Sequence, residues 1–159
     1  MNRERIVTQR LVLEPVGDEL ARAILAGDTS GVRAGEGWPH ADTLDGLRLG
    51  LLHGAGTARL ALLDGVVVGD CGTHGPADAS GEVEIGYGLA EPCRGRGLGS
   101  ELVLGYSDWL LVQEDVRRVV AGVLAENVPS RRALARAGFA LEGEREGEGG
   151  KELTYARQR

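Results

Sequence analysis

A run of alternating glycine and arginine residues, from Arg94 to Gly99, constrains the fold of this chain more than any other feature. It follows a strand-like segment, Val83 to Leu89, and precedes apolar residues that recur at helical spacing from Leu98 to Trp109. This order predicts a crossover that places the next strand, Arg117 to Leu124, parallel to the first. Because glycines let a backbone approach a ligand and a helix N-terminus favours anions, the loop indicates either a phosphate cradle or a plain turn with solvated arginines.

The other segments predict antiparallel hairpins before this crossover and one hairpin after it. The Asp64-Gly65 pair is a strong signal for a two-residue hairpin turn. The order predicts an α/β fold in a single domain, residues 1–159, with a mixed, mostly antiparallel sheet of six to seven strands, helices on both faces and a central parallel pair. Strands are predicted at Ile6 to Val16, Ala58 to Leu63, Val66 to Gly72, Phe139 to Glu144 and Leu153 to Arg157, and helices at Glu19 to Leu25, Thr43 to Leu52 and Ser130 to Ala137.

Composition excludes several classes of protein. The chain has 159 residues and a net charge of −6, which offers no basic face to nucleic acid and leaves neutral or cationic partners. No apolar run has the length of a membrane span, and the amino-terminal sequence leads into no signal-peptide core, so we expect a cytoplasmic protein with no membrane partner. Cys71 and Cys93 are too few for a disulfide framework or a zinc site and are predicted to be core or near-core residues. No metal is expected.

The Gly/Arg loop is neither a Walker A loop nor a dinucleotide fingerprint, because it has no Gly-Lys-Ser/Thr and its glycines are spaced as GxGxG. The remaining familiar ligand is the pyrophosphate of coenzyme A (CoA). Arg94-x-x-Gly97-x-Gly99 resembles the pyrophosphate-binding signature of the GNAT superfamily of N-acetyltransferases. Further segments are similar to the branch with the ribosomal-protein alanine N-acetyltransferases (RimJ/RimL type): Thr8-x-Arg10-Leu11-x-Leu13-x-Pro15, Glu84-Ile85-Gly86-Tyr87-x-Leu89-x-x-Pro92, Asn127-x-x-Ser130 and Gly138-Phe139.

The resemblance implies that acetyl-CoA is the donor. In this superfamily the two neighbouring parallel strands splay apart, and the pantetheine arm lies in the gap against the backbone of the first strand. Gly86 and Gly88 in that strand suit a bulge or a close backbone approach, or are tolerated weaknesses. By position, the resemblance assigns cofactor binding to Ile85, Tyr87, Leu89, Arg94, Gly95, Arg96, Gly97, Leu98, Gly99, Ser100, Asn127 and Ser130. The side chains of Arg94, Arg96, Arg131 and Arg132 either reach phosphates or point into solvent.

The implied reaction is direct attack of a primary amine on the acetyl thioester in a ternary complex. Glu84 is the predicted general base, directly or through one water, and the alternative is an exposed residue or an ion pair. Glu82 and His74 rank behind it, because Glu82 lies farther from the loop and His74 is more simply a surface histidine. Many family members use a tyrosine as proton donor where this chain has Leu134. Ser130 is the predicted substitute, with a plain helix N-cap as the alternative.

The early helices and the final hairpin form the acceptor groove in this superfamily. Trp38, His40 and His74 are therefore assigned to acceptor binding, although Trp38 is equally suited to anchor its loop in the core. The glutamates at 142, 144, 146, 148 and 152 either attract a cationic amine, such as a peptide N-terminus, a polyamine or an aminoglycoside, or form a solvated face. A noncatalytic acyl-CoA-binding module is the alternative function, and a homodimer paired through the last strands is compatible with the resemblance.

Overall fold

The computed structural model describes residues 3–53 and 56–159, and eight strands within these ranges form one sheet. Met1 and Asn2, part of the amino-terminal sequence considered for a signal peptide, lie outside the described residues. No helix in the described ranges is both long and apolar enough to span a membrane. The strands are β1 (Ile6–Val7), β2 (Leu11–Pro15), β3 (Arg59–Leu63), β4 (Val66–Thr73), β5 (Glu82–Leu89), β6 (Arg118–Leu124), β7 (Ala140–Gly147) and β8 (Gly150–Gln158). The helices are α1 (Asp18–Leu25), α2 (Ala41–His53), α3 (Leu98–Leu111) and α4 (Val128–Arg136).

One parallel pair interrupts an otherwise antiparallel sheet, whose strand order is β1-β2-β3-β4-β5-β6-β8-β7. β5 and β6 run parallel as far as the pair formed by Ile85 and Ala121. Their pairing stops there, although β5 continues to Leu89 and β6 to Leu124. The two strands therefore separate towards their carboxyl ends, and the predicted mixed sheet with a splayed parallel pair is confirmed.

The segment from Ile6 to Val16, which the sequence predicts as one strand, folds back on itself. β1 and β2 pair antiparallel, and in the turn between them the N–H of Thr8 donates to the carbonyl of Leu11 at 2.9 Å. The prediction of one unbroken strand is wrong, and this extra hairpin raises the strand number to eight. Contacts from α3 stabilise the turn, and the local sequence pattern does not reveal them.

Helices cover both faces of the sheet, as predicted. Along β3 the side chains alternate, so that Leu60 packs with α1 and α2 while Ala61 packs with α3 and α4. Each large apolar side chain buried in these two cores contributes about 1.5–3 kcal/mol to folding. Cys71 is buried and Cys93 packs against both cores, which confirms the prediction for the two cysteines.

The interior of α2 offers a test of the fold. Gly50 lies on this helix, and apart from its chain neighbours and the helix's own backbone no atom stands within 4 Å of the position that a Cβ would occupy. Gly50→Ala is expected to stabilise the protein by about 0.5–1 kcal/mol, because alanine has a higher helix propensity than glycine. Thermal unfolding should show a Tm increase of roughly 1–4 °C. The control is Gly27→Ala, which has equal space but a φ of 89° and should lower Tm.

Candidate functional site

The Gly/Arg loop begins α3 with its amide groups free. Gly97 is the N-cap of α3 and has φ 76°, a left-handed conformation that glycine adopts without strain. None of the six N–H groups from Gly95 to Ser100 has a backbone acceptor in the described part of the chain. These donors lie at the positive end of the α3 dipole, an arrangement that binds phosphate groups.

The two arginines of the loop make different contacts. Nε of Arg94 donates to the carbonyl of Leu89 at 3.2 Å, so this side chain turns back towards the end of β5. The carbonyl of Arg96 accepts a hydrogen bond from Nη1 of Arg10 at 2.9 Å. Both arginines are exposed. Both therefore leave positive charge beside the free amides, and their direct contact with phosphate stays a prediction.

The gap between β5 and β6 exposes one backbone edge of β5. From Ile85 to Leu89, β5 pairs with β4 on one edge, whereas its pairing with β6 ends at Ile85. The side chains of Ile85 and Leu89 are buried in the core on the α3 side, so only their backbone can meet a ligand in the gap. An extended ligand with amide groups can add to such an edge as a further strand does.

A hydrogen bond between two hydroxyl groups joins β5, at the edge of this gap, to α4. The Tyr87 hydroxyl lies 2.5 Å from Oγ of Ser130 and also donates to the Ser130 carbonyl at 3.3 Å. Burial raises the pKa of Tyr87 above its ordinary value, although the bond to Ser130 opposes this. Leu134, which stands where many family members have a tyrosine, is fully buried in the core. The structure thus brings a tyrosine hydroxyl to α4 from β5.

The start of α4 corrects one of the sequence interpretations. The N-cap is Asn127, whose side-chain oxygen accepts from the N–H of Ser130 at 3.3 Å. Ser130 is therefore not the N-cap, and α4 begins at Val128, two residues before the predicted start. Arg131 is not simply solvated either, because it donates to the Tyr155 hydroxyl at 3.2 Å and to the carbonyl of residue 125 at 3.0 Å. Arg132 is exposed.

Glu84 lies on the face of β5 opposite to Ile85 and Tyr87, between the side chains of His74 and Arg145. Nη2 of Arg145 donates to one carboxylate oxygen at 3.0 Å and to Glu152 at 2.8 Å. Nδ1 of His74 lies 3.7 Å from the other Glu84 oxygen. His74 and Arg145 hold the pKa of the Glu84 carboxyl below its ordinary value, against the opposing effect of burial. Glu84 is therefore ionised near neutral pH.

The remaining acidic candidates are mostly bound to arginine or lysine. Glu82 accepts from Nε of Arg118 at 2.9 Å, in the closed part of the parallel pair. On the last hairpin, Arg118 also binds Glu142 at 2.6 Å, and Lys151 binds Glu144 at 2.6 Å. With Glu152 bound to Arg145, these contacts neutralise much of the negative charge that the sequence placed near the acceptor groove.

A cavity of about 300 Å³ lies between α2, β3 and β4 and extends to the open end of the β5–β6 gap. Its lining includes Thr43, Asp70, His74 and Tyr87. One oxygen of Asp70 accepts from Nε1 of Trp38 at 2.8 Å and from the Thr43 hydroxyl at 2.5 Å. Burial raises the pKa of the Asp70 carboxyl, although these two hydrogen bonds oppose the effect.

The three predicted acceptor residues have different positions around this cavity. His74 lines it, and its Nε2 stands only 2.7 Å from where a Cβ on Gly86 would be, so the glycine makes room for the ring. The His40 ring likewise occupies the space above Gly88, 2.8 Å from the Cβ position. Trp38 is buried in the core on the α1–α2 side, as the alternative interpretation held. Trp38 and His40 thus stand behind the cavity wall.

The sequence did not single out Asp70, Arg145 or the hydroxyl of Tyr87 as site groups. Asp70 did carry a signal, because a carboxylate inside a strand between Gly69 and Cys71 is unusual unless it is paired. Arg145 gave no signal, since it lies in a charged hairpin whose pattern is typical of a solvated surface. In the described residues no cluster of three or more His, Cys, Asp or Glu side chains is placed to bind a metal ion.

Comparison with known proteins gives one family. The family model described as an acetyltransferase (GNAT) domain matches residues 10–140. Among curated proteins, the "uncharacterized N-acetyltransferase p20" of Bacillus licheniformis is 35% identical over 77 residues, which are 48% of this chain and 43% of that protein. The match therefore spans less than half the length of this relative.

Solved structures share the fold at low sequence identity. Mycobacterium smegmatis RimJ in complex with CoA-disulfide superposes with a TM-score of 0.71 at 24% identity, over 98% of this chain and 88% of that chain. The ribosomal L7/L12 α-N-protein acetyltransferase RimL, in complex with CoA, gives a TM-score of 0.73 at 22% identity, over 98% of both chains. At these identities the likeness concerns the fold.

Proposed function

Because the chain belongs to the GNAT acetyltransferase family, we propose that it transfers an acetyl group from acetyl-CoA to a primary amine. The observation that carries this proposal is the set of free N–H groups from Gly95 to Ser100, which begins α3 beside the open gap between β5 and β6. The amides suit the pyrophosphate of the donor, and the free edge of β5 suits its pantetheine arm. The CoA in the related RimJ and RimL structures supports the same donor.

The reaction forms a C–N bond and breaks a C–S bond. The amine nitrogen attacks the thioester carbonyl carbon, the thiolate of CoA leaves, and the nitrogen loses a proton. Glu84 accepts that proton, directly or through one water, from the cavity side of β5. The thiolate takes up a proton from the hydroxyl pair of Ser130 and Tyr87, which replaces the tyrosine absent at Leu134. The pair regains a proton from solvent, to which Glu84 releases the one it accepted.

The hydroxyl pair gives the next test. Ser130→Ala and Tyr87→Phe are each expected to lower kcat about tenfold with little change in the KM for acetyl-CoA, because each removes a group that transfers or orients a proton. The control is Tyr155→Phe, which removes another tyrosine hydroxyl bound to α4 and should leave kcat within about twofold. Steady-state rates of CoA release measure all three. Equal losses in the three variants would contradict the assignment.

The acceptor enters through the cavity between α2 and β4. Its wall presents the carboxylate of Asp70 together with His74 and Thr43, and Asp42 lies at the α2 side. This partly acidic wall attracts a cationic ammonium group, which loses one proton to solvent before the neutral amine attacks, so we propose primary amines that are cationic in solution. Peptide or protein N-termini, polyamines and aminoglycosides all belong to this class.

One screen tests the whole proposal. The protein is incubated with acetyl-CoA and a panel of peptide N-termini, polyamines, aminoglycosides and amino acids, and free thiol is measured over time. We expect release of CoA with at least one amine, and tight binding of acetyl-CoA by calorimetry. Binding without turnover across the panel would favour a noncatalytic acyl-CoA-binding module, and absence of binding would contradict both functions.

A further inference from the structure

A group of hydrogen bonds joins the first hairpin to the beginning of α3. One oxygen of the Glu101 carboxylate accepts from the Thr8 hydroxyl at 2.5 Å, from the N–H of Arg10 at 2.7 Å and from the N–H of Leu11 at 3.2 Å. Its other oxygen accepts from Nε of Arg10 at 2.8 Å. Four donors thus hold a single carboxylate whose side chain is only 14% exposed. The contact is therefore more than a surface ion pair, which contributes little on its own.

Arg10 extends this contact to the Gly/Arg loop. While its Nε binds Glu101, its Nη1 donates to the carbonyl of Arg96 at 2.9 Å. Nη2 of the same guanidinium lies 3.5 Å from where a Cβ on Gly97 would be. One planar side chain therefore spans from the first turn of α3 to the loop before it. Only the fork of an arginine can make both bonds with this geometry.

Because the peptide bond is planar, this contact fixes the orientation of an amide group in the loop. The carbonyl of Arg96 and the N–H of Gly97 belong to the same trans peptide, so they point in opposite directions. Fixing the carbonyl on Arg10 therefore fixes the direction of the Gly97 N–H, which has no backbone acceptor in the described chain. The neighbouring free amides follow, because the same short loop carries them.

We propose that Arg10, held by Glu101, is a positioning residue that orients the loop amides for the pyrophosphate of the donor. This inference rests on the proposed function, and it assigns a role to the Thr8-x-Arg10 segment. The positioning lowers the entropic cost of binding, since the loop already has the required conformation before the ligand arrives. Arg10 acts through the loop backbone and needs no contact with the reacting atoms.

The test compares two ligands that differ in the phosphates. CoA affinity is measured by calorimetry, and pantetheine affinity by ligand-observed NMR titration, for the wild type and for Arg10→Ala. The variant is expected to bind CoA about tenfold more weakly and pantetheine within about twofold of the wild type, because only CoA has the pyrophosphate. Glu101→Gln should give a smaller loss of CoA affinity in the same direction. Arg10→Lys, which keeps the charge but has no fork, should also bind CoA more weakly.

Arg5→Ala is the matched control. Arg5 lies directly before β1 and binds Glu14 at 2.5 Å, away from the loop, so its loss should change neither affinity. Unchanged CoA binding in Arg10→Ala, or equal losses for CoA and pantetheine, would overturn the inference while leaving the proposed function intact. Failure of the wild type to bind CoA would overturn the proposed function itself. If Arg10→Ala does not fold, the comparison of Arg10→Lys with the wild type decides the question by the same criteria.

Discussion

Glu84→Gln is expected to lower kcat by about two to four orders of magnitude, the range over which a general base contributes. Glutamine keeps the size of the side chain and its ability to accept a hydrogen bond from Arg145, but it cannot take up a proton. The ion pair with Arg145 is half-exposed, so its loss should cost little stability. The measurement is the steady-state rate with an amine that the wild type acetylates, together with Tm for each protein.

Two control variants separate catalysis from structure. Glu82→Gln removes a carboxylate of the same strand that is bound to Arg118 in the closed part of the sheet, and it should keep kcat within about twofold. Arg145→Ala removes one of the groups that lower the pKa of Glu84, so that pKa rises and the acid limb of the pH profile moves to higher pH. Two results would show that Glu84 serves only as an ion-pair partner. One is full activity of Glu84→Gln, and the other is a loss of kcat in Arg145→Ala as large as the loss in Glu84→Gln.

Local sequence patterns predicted the part of the fold that places the proposed donor site. The hairpin at Asp64 and Gly65 has positive φ values of 51° and 79° at these two residues, as an Asp-Gly turn requires. The order of strand, loop and helix around Arg94 to Gly99 produced the parallel pair, because such a crossover is short and has one favoured hand. These features depend on residues close together in the sequence, so pattern and spacing are sufficient to find them.

Contacts between distant segments set the limits of that prediction. The division of the Ile6 to Val16 segment into two strands depends on Glu101, which is about 90 residues away. Likewise Arg145 reaches Glu84 from a separate hairpin, and Asp70 meets Trp38 only after α1 and α2 pack on the sheet. Each of these side chains satisfies a buried or half-buried polar group, and the requirement becomes visible only in three dimensions.

Gly97→Val is expected to weaken CoA binding by about a hundredfold, because hydrogen bonds from loop amides to a charged phosphate contribute about 1.5–3 kcal/mol each and one or two of them would be lost. At φ 76° a β-branched residue is strongly disfavoured, so the loop must leave its present conformation, and the free amides lose their present positions. The neighbours do not cause the loss, because the nearest atom to the added Cβ, Nη2 of Arg10, would lie at 3.5 Å, an ordinary contact. Calorimetry with CoA measures the effect.

The control for Gly97→Val is Gly27→Val, which introduces the same kind of backbone strain at a glycine outside the loop. Gly27, just after α1, has φ 89° and no atom within 4 Å of its Cβ position, so Gly27→Val should cost about 1–2 kcal/mol of stability. Gly27→Val should leave the CoA affinity unchanged, whereas Gly97→Val should lower both the stability and the CoA affinity. Equal CoA affinity in the two variants would contradict the loop as the pyrophosphate site. The loss of CoA affinity should also be larger in Gly97→Val than in Arg10→Ala. Valine at position 97 excludes the loop conformation, whereas alanine at position 10 removes only the hydrogen bond that holds it.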